Sequence, residues 1–394
     1  VFVAPRLRRY SIRANDSITI PQFLTNRFQS KNKGLQIISA IVFVVVYCIY
    51  SASSISACGT LFNTVTGMSA KTAMIIATAI ILVYVFLGGF NAVCWTDFFQ
   101  GMLMLAALML TPILALFVMK GADFVAPVMA VPENYYNALS GGGFNWKSVS
   151  DILSGLGWGL GYFGMPHILL RFMAIEDEKK LVLSRRIASV WVVIAMTASI
   201  VIGVVGLGMT KAGALEFLSG SSSETLIVRV ASLIAQHGVL AAILAGLILA
   251  GILAATMSTA DSQMLAAASS VSQNILQEFG HMKLTEKQSL FAARLTIICI
   301  SVVGVVLARD PNSSVFGIVS FAWAGFGGSF GAVVLCSLFW KRCNWQGALA
   351  GMLSGGLMVF VWKYIISPLG GVFGIYELLP AFLMSLLVCV VVSL

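Results

Sequence analysis

The chain reads as an all-α polytopic membrane protein, and three observations lead there. Apolar runs recur along its whole length, each near the 20 or so residues that a helix needs to cross hydrocarbon. Charged residues make up 10% of the chain, against about 25% in soluble domains. No long polar segment separates the runs, so residues 1–394 are expected to form a single transmembrane domain. A mean hydropathy of +0.96 with 59% hydrophobic residues excludes a soluble globule.

Ten runs qualify as crossings: residues 35–62, 72–87, 95–119, 149–172, 187–209, 239–270, 295–307, 315–340, 348–366 and 375–394. The second and seventh are short and are expected to extend into their flanks. Alternate loops hold 17 of the 24 basic residues, among them Arg6, Arg8, Arg9, Arg171, Arg185, Arg294 and Lys341. The other side keeps Lys71, Lys120, Lys147, Lys211, Arg229, Arg309 and Lys363. The positive-inside rule makes the first loop cytoplasmic in a plasma-membrane protein. The net charge of +9 is then topology, and no nucleic-acid partner is implied.

Two outer loops are long. Residues 121–146 carry Pro127, Pro132 and the run Ser140-Gly141-Gly142-Gly143. Residues 212–237 contain TLIVRVASLIAQ, apolar on one helical face. This predicts an interfacial helix resting on the bundle; a gate over an outward cavity is the alternative. Seven cysteines without a CxxC and three scattered histidines give no metal cluster and no disulfide framework. The chain starts at Val1 without Met, on VFVAP, and stops at Leu394 inside VCVVVSL. It is expected to be truncated at the N-terminus and also at the C-terminus.

The most informative stretch is GWGLGYFGMPHILL, residues 157–170, with Gly157, Gly159, Gly161, Gly164 and Pro166 in an otherwise apolar run. Each glycine costs about 1 kcal/mol of helix stability and a proline about 3. Broken backbone survives in a bilayer only inside protein or beside a wet cavity. A discontinuous helix is therefore predicted, opening near Gly159 to Gly164, the usual setting of a site in secondary transporters. If the helix persists, Trp158, Tyr162 and Pro166 share one face by their i, i+4, i+8 spacing. An aromatic wall beside free backbone dipoles suits a small zwitterion with an apolar body. Ordinary packing, with the glycines admitting a neighbouring helix, is the other reading.

Three further stretches carry candidate chemistry. In Ala255-Thr256-Met257-Ser258-Thr259-Ala260-Asp261-Ser262, residues Ser258, Asp261 and Ser262 share a helical face, with Thr259 beside it. Such hydroxyl and carbonyl oxygens suit a hard cation, although membrane Ser and Thr also back-bond to their own helix, and Asp261 can be a solvated residue at the helix end. Asp97, in NAVCWTDFFQG, opens an apolar run and is either an intramembrane functional acid or a helix cap. Residues 322–329, AWAGFGGS, combine glycines with Trp323; close packing or a hinge would explain them.

Together these stretches resemble the solute:sodium symporter family, and within it the bacterial sodium/proline symporters. The resemblance rests on RLRRYSIRANDSITIPQFLTNRF, FLGGFNAVCWTDFFQ, GWGLGYFGMPHILLRFMA, ILAATMSTADSQMLAAASS, FAWAGFGGSFGAVVL and NWQGALAGM, in order over almost the whole chain. It implies two inverted five-helix repeats, with sodium and substrate near the midplane. The ten runs would be core helices three to ten plus two peripheral ones. It also implies sodium held by the Ala255 carbonyl and the Ser258 and Thr259 hydroxyls. L-proline would lie against Trp158, Tyr162 and Pro166, with Gly161 in the same wall, and Asp97 in the inner ion pathway. Asp261 stands where members of the family vary and is given only a possible part in ion release. The first broken core helix of the family would precede Val1, so the chain is expected to hold about half the site and not to transport alone.

The expected function is sodium:proline symport by alternating access, with lipid as surroundings and no obligatory protein partner. The rivals are the same fold carrying betaine, a monocarboxylate, pantothenate or a sugar, and a non-transporting membrane sensor. A channel lacks a filter-like segment here, and an enzyme lacks an intramembrane catalytic constellation.

Overall fold

A computed structural model describes residues 2–30, 34–119, 137, 144–280, 282–309 and 314–394. The Pro127, Pro132 and Ser140–Gly143 features of the first long loop lie outside the described residues. Two short helices, α1 (Val3–Arg13) and α2 (Ile20–Arg27), lead into α3 (Gly34–Thr66). Then come α4 (Ala70–Val118), α5 (Trp146–Gly161), α6 (Pro166–Ala174), α7 (Lys180–Lys211), α8 (Leu226–Ala235) and α9 (Val239–Ser269). The last part holds α10 (Glu286–Leu307), α11 (Val315–Phe326), α12 (Ala332–Phe339), α13 (Trp345–Val361) and α14 (Leu378–Ser393).

Among the described residues, seven helices are long and apolar enough to cross a membrane, and 70–83 and 378–393 are shorter apolar helices. The pair α5 and α6 completes the ten runs read from sequence. The seventh run does extend into its flank, starting at Glu286 behind a capping box of Thr285 and Gln288.

Helix α4 is hydrogen-bonded through 49 residues. Straight, it would be about 74 Å long, more than twice the roughly 30 Å of hydrocarbon. Its first part packs Ala77 and Ile81 with Cys58 of α3 and with Ala260 and Met264 of α9. Its second part returns along α9, placing Ala107 against Gly251 and Ala115 in the cluster of Ala245 and Ile248. The chain therefore makes two passes along α9, reversing between Ile81 and Ala107.

The centre of the bundle is an aromatic knot between α3 and α11. Phe43 meets Phe330 edge-on at 4.5 Å between ring centroids, and Tyr47 meets Phe326 at 4.7 Å. Such pairs contribute about 0.5–1.5 kcal/mol beyond their area burial. The glycines of 322–329 serve close packing: a Cβ at Gly325 would press on Val46, and one at Gly328 on Ala381. The same segment widens into a π-helix over Gly327–Gly331 before continuing as α12. Helix α8 buries Val228, Val230, Ala231 and Ile234 on the bundle, as an interfacial helix should. Just before it, both Glu224 carboxylate oxygens accept from the free N–H groups of Val315 and Phe316, at 2.9 and 3.0 Å. This caps α11 from another element.

Helices α13 and α14 close through small residues. Gly347, Gly351 and Gly355 recur every fourth residue and face Ser393, Cys389 and Ser385. Added Cβ atoms would meet those residues and their carbonyls, which is the small-residue packing of membrane helices. A methyl group at Gly351 would lie 2.8 Å from both the Cys389 Cβ and the Ser385 carbonyl oxygen. Gly351→Ala is expected to cost about 1–3 kcal/mol by overpacking, read as a lower melting temperature in detergent. Leu353→Ala, on the exposed face of the same helix, should leave the melting temperature within error.

Candidate functional site

The glycine-rich run folds as two helices. Helix α5 continues through Gly157 and Gly159 and ends at Gly161; a turn over residues 162–165 follows, and α6 starts with Pro166 at its first position. The break thus falls later than the glycine spacing suggested. Proline costs nothing at a helix start, where its missing N–H would be unpaired anyway. Because the helix stops at Gly161, Pro166 does not share a helical face with Trp158 and Tyr162. It is buried at the head of the next helix.

The glycines also do what the packing reading asked. A Cβ on Gly161 would overlap the Trp323 ring, and one on Gly164 the Phe326 carbonyl. Gly159 has open space around it. Breakage and close approach are one event here, because α11 lies where a side chain or a straight helix would have to pass.

Trp158 sits in an aromatic group drawn from three parts of the chain. Its ring stacks on Tyr376 at 5.7 Å and 19°, and lies 5.5 Å from Trp323 and 5.4 Å from Phe316. The Trp323 indole N–H donates to the Trp158 carbonyl at 3.0 Å. Tyr162 meets Trp323 edge-on at 4.9 Å while 54% of Tyr162 stays exposed. The wall therefore has a buried back and an accessible front. Trp323, Phe316 and Tyr376 were not read as parts of it, since they lie more than 150 residues away in sequence and no local spacing links them.

A second constellation sits on α9. The Ser258 and Thr259 hydroxyls both donate to the Ala255 carbonyl, at 3.1 and 3.0 Å. These are the back-bonds that membrane Ser and Thr make to their own helix, and they leave three neutral oxygens close together at half-buried residues. Each hydroxyl spends its proton on the carbonyl and keeps lone pairs to offer, which fits a hard monovalent cation. Thr256 faces away, accepting from the Cys58 thiol at 3.2 Å.

The third constellation is ionic. Asp97 pairs with Arg171 of α6, and Arg171 donates to the Ser262 hydroxyl at 2.8 Å. Ser262 lies 3.3 Å from Asp97 and 3.2 Å from Asp261. Asp97 lies inside the continuous α4 and so caps nothing. Asp261 is fully buried instead of solvated at a helix end. Charge counting had placed Arg171 among the loop cations; its pairing with Asp97 spans 74 residues and leaves no local trace. Beside this network opens a cavity of about 440 Å³ lined by Arg8, Thr19, Cys94, His167, Arg171 and Ser269, among others. It faces the side that carries most of the basic residues.

The sodium:solute symporter family profile matches residues 1–355. The chain belongs to that family. It is 39% identical over 388 residues to the high-affinity proline transporter PutP of Bacillus subtilis, a match covering 98% of this chain and 78% of that one. It is 38% identical to the osmoregulated proline transporter OpuE of the same species, covering 100% and 77%. It is 37% identical to the sodium/proline symporter of Staphylococcus aureus, covering 99% and 75%. A solved Na+-coupled sialic acid symporter, in a substrate-bound outward-open state, superimposes with a TM-score of 0.74 at 15% identity. That match covers 100% of this chain and 83% of the other, so the fold is that of a sodium symporter. This symporter is a multi-pass, sodium-coupled membrane transporter.

The ionic network predicts a measurable coupling. With the Arg171 side chain 40% exposed and that of Asp97 17% exposed, the pair should contribute about 1–2 kcal/mol, well below a fully buried pair. Asp97→Asn and Arg171→Gln are each expected to lower thermal stability, and the double variant to lose less than their sum. Strict additivity in that cycle would show that the two do not interact.

Proposed function

We propose that the symporter imports L-proline across the plasma membrane, coupled to sodium, with the residues before its first crossing in the cytoplasm. The observation that carries this reading is the wall of Trp158, Tyr162 and Trp323 beside the interrupted backbone at residues 162–165. A pyrrolidine ring can lie on an aromatic face, and the carboxylate and secondary ammonium groups of proline can use backbone N–H and carbonyl groups. The names of the relatives from Bacillus subtilis and Staphylococcus aureus support the same solute.

Pro166 contributes by fixing where α6 begins, and Gly161 by letting α11 approach. Sodium binds at Ala255, Ser258 and Thr259, as neutral donors suit an ion that must also leave. It binds before proline and shapes the site for the zwitterion. Asp97 and Asp261, joined through Ser262 and Arg171, lie on the release route into the cavity on the cytoplasmic side.

The energetics are adequate with one ion. A sodium ion moving down 100 mV releases about 2.3 kcal/mol, and a tenfold gradient adds about 1.4. Together these sustain a proline gradient of several hundredfold.

In proteoliposomes of the full-length protein, labelled proline uptake should require an inward sodium gradient and stop when that gradient collapses; uptake indifferent to sodium would refute the coupling. Excess unlabelled proline should compete, whereas betaine, a monocarboxylate, pantothenate or a sugar should not. Ser258→Ala and Thr259→Ala are each expected to raise the half-saturating sodium concentration about tenfold, the size of one good hydrogen bond or ligand, at unchanged membrane abundance. Unaltered sodium dependence in both would remove these residues from the ion site.

A further inference from the structure

Tyr376 lies outside every motif that the sequence marked, in the short stretch between α13 and α14. That stretch is pinned on both sides of it. The Trp362 indole N–H donates to the Ile375 carbonyl at 3.1 Å, and the buried Glu377 carboxylate lies 3.5 Å from the Lys363 ammonium. Tyr376 is thus presented inward from a fixed base on the α13–α14 pair, which is itself closed by small residues.

From that base it makes three contacts with two other helices. Its backbone N–H donates to the Ser154 hydroxyl of α5 at 3.0 Å. Its phenol donates to the Ser320 carbonyl of α11 at 2.6 Å. Its ring stacks on Trp158. The backbone bond to Ser154 would survive any residue but proline; the phenol bond and the ring stack need an aromatic hydroxyl, and a leucine filling the same space would supply neither.

We propose that Tyr376 is a positioning residue for the solute site: it holds the Trp158 ring against Trp323 and ties α5 to α11, so that the aromatic wall keeps a single shape. The Trp323–Trp158 carbonyl bond joins α5 to α11 directly, and Tyr376 joins them a second time, through its N–H on Ser154 and its phenol on Ser320. The wall depends on both, and Tyr376 supplies the one anchored outside the two helices. Loss of the phenol frees α11 by one bond; loss of the ring frees Trp158 to turn. The solute affected is the one proposed above, and the inference rests on that reading.

The test is sodium-driven proline uptake by Tyr376→Phe and Tyr376→Ala, normalised to protein in the membrane. Tyr376→Phe keeps the stack and loses the hydrogen bond, and should raise KM about three- to tenfold with little change in maximal rate. Tyr376→Ala should raise KM further and erode the preference for proline over its six-membered-ring homologue, pipecolate. Half-saturating sodium should stay near the wild-type value in both. A purely structural role would lower abundance and leave KM and ring discrimination unchanged, and that result would overturn the proposal. If Tyr376→Ala does not reach the membrane, Tyr376→Phe and Ser154→Ala decide the matter by the same two readouts. Wild-type protein that takes up no proline would instead refute the function proposed above; the same variants are then read with whichever solute of the panel is carried.

Discussion

A chain inside hydrocarbon cannot leave amide groups unpaired, and at residues 162–165 this one gives up its helical ladder in the middle of an apolar run. Two short bonds repair part of the loss: the Gly164 N–H donates to the Gly161 carbonyl at 2.9 Å, and the Phe163 N–H to the Leu160 carbonyl at 3.3 Å. The rest of the repair is steric. Helix α11 fills the space beside the break, with Trp323 over Gly161 and the Phe326 carbonyl against Gly164. Moving α11 away would uncover the broken backbone. The aromatic wall, the π-helical widening of α11 and its cap from Glu224 all concern the placement of that one helix.

The outline of this arrangement was legible locally. The ten apolar runs all fold as helices, seven of them long and apolar enough to cross a membrane, because burial in lipid is written residue by residue in hydropathy. The discontinuity at Gly161–Pro166 was legible because glycine and proline have backbone costs of their own. What escaped reading was pairing. Trp158 meets Tyr376, Asp97 meets Arg171 and Glu224 meets Val315 across tens to hundreds of residues. Arg171 is the clearest case: its charge was informative about topology, and that satisfied the sequence before its partner could be sought.

Glycine carries two different messages in this chain. In α13 the glycines at 347, 351 and 355 keep a strict four-residue period and meet the small face of α14, so they report a rigid seam. In the run from 157 to 164 the spacing is irregular, and only Gly157, Gly161 and Gly164 approach a neighbour closely. Periodic glycine thus marks packing between straight helices, and irregular glycine followed by proline marks a break. The AWAGFGGS stretch mixes both, and accordingly α11 there packs tightly on α3 and α14 and also changes its helical pitch.

The distribution of charge follows from what each site must do. A cation that binds and leaves within one transport cycle cannot be held by a buried carboxylate without a large desolvation cost on each release. The α9 set proposed to hold sodium, one carbonyl and two hydroxyls, carries no net charge and so avoids that cost. Formal charge appears instead about one helical turn further along α9, where Asp261 and Ser262 meet Asp97 and Arg171 beside the open cavity. Arg171 and Ser262 line the cavity while Asp261 is buried behind them, and the arginine offsets one of the two carboxylate charges that would otherwise hold a departing cation. With one arginine against two carboxylates the cluster keeps a net negative charge, so on the proposed route a cation leaving the neutral donors of α9 meets attraction beside the cavity instead of a positive barrier.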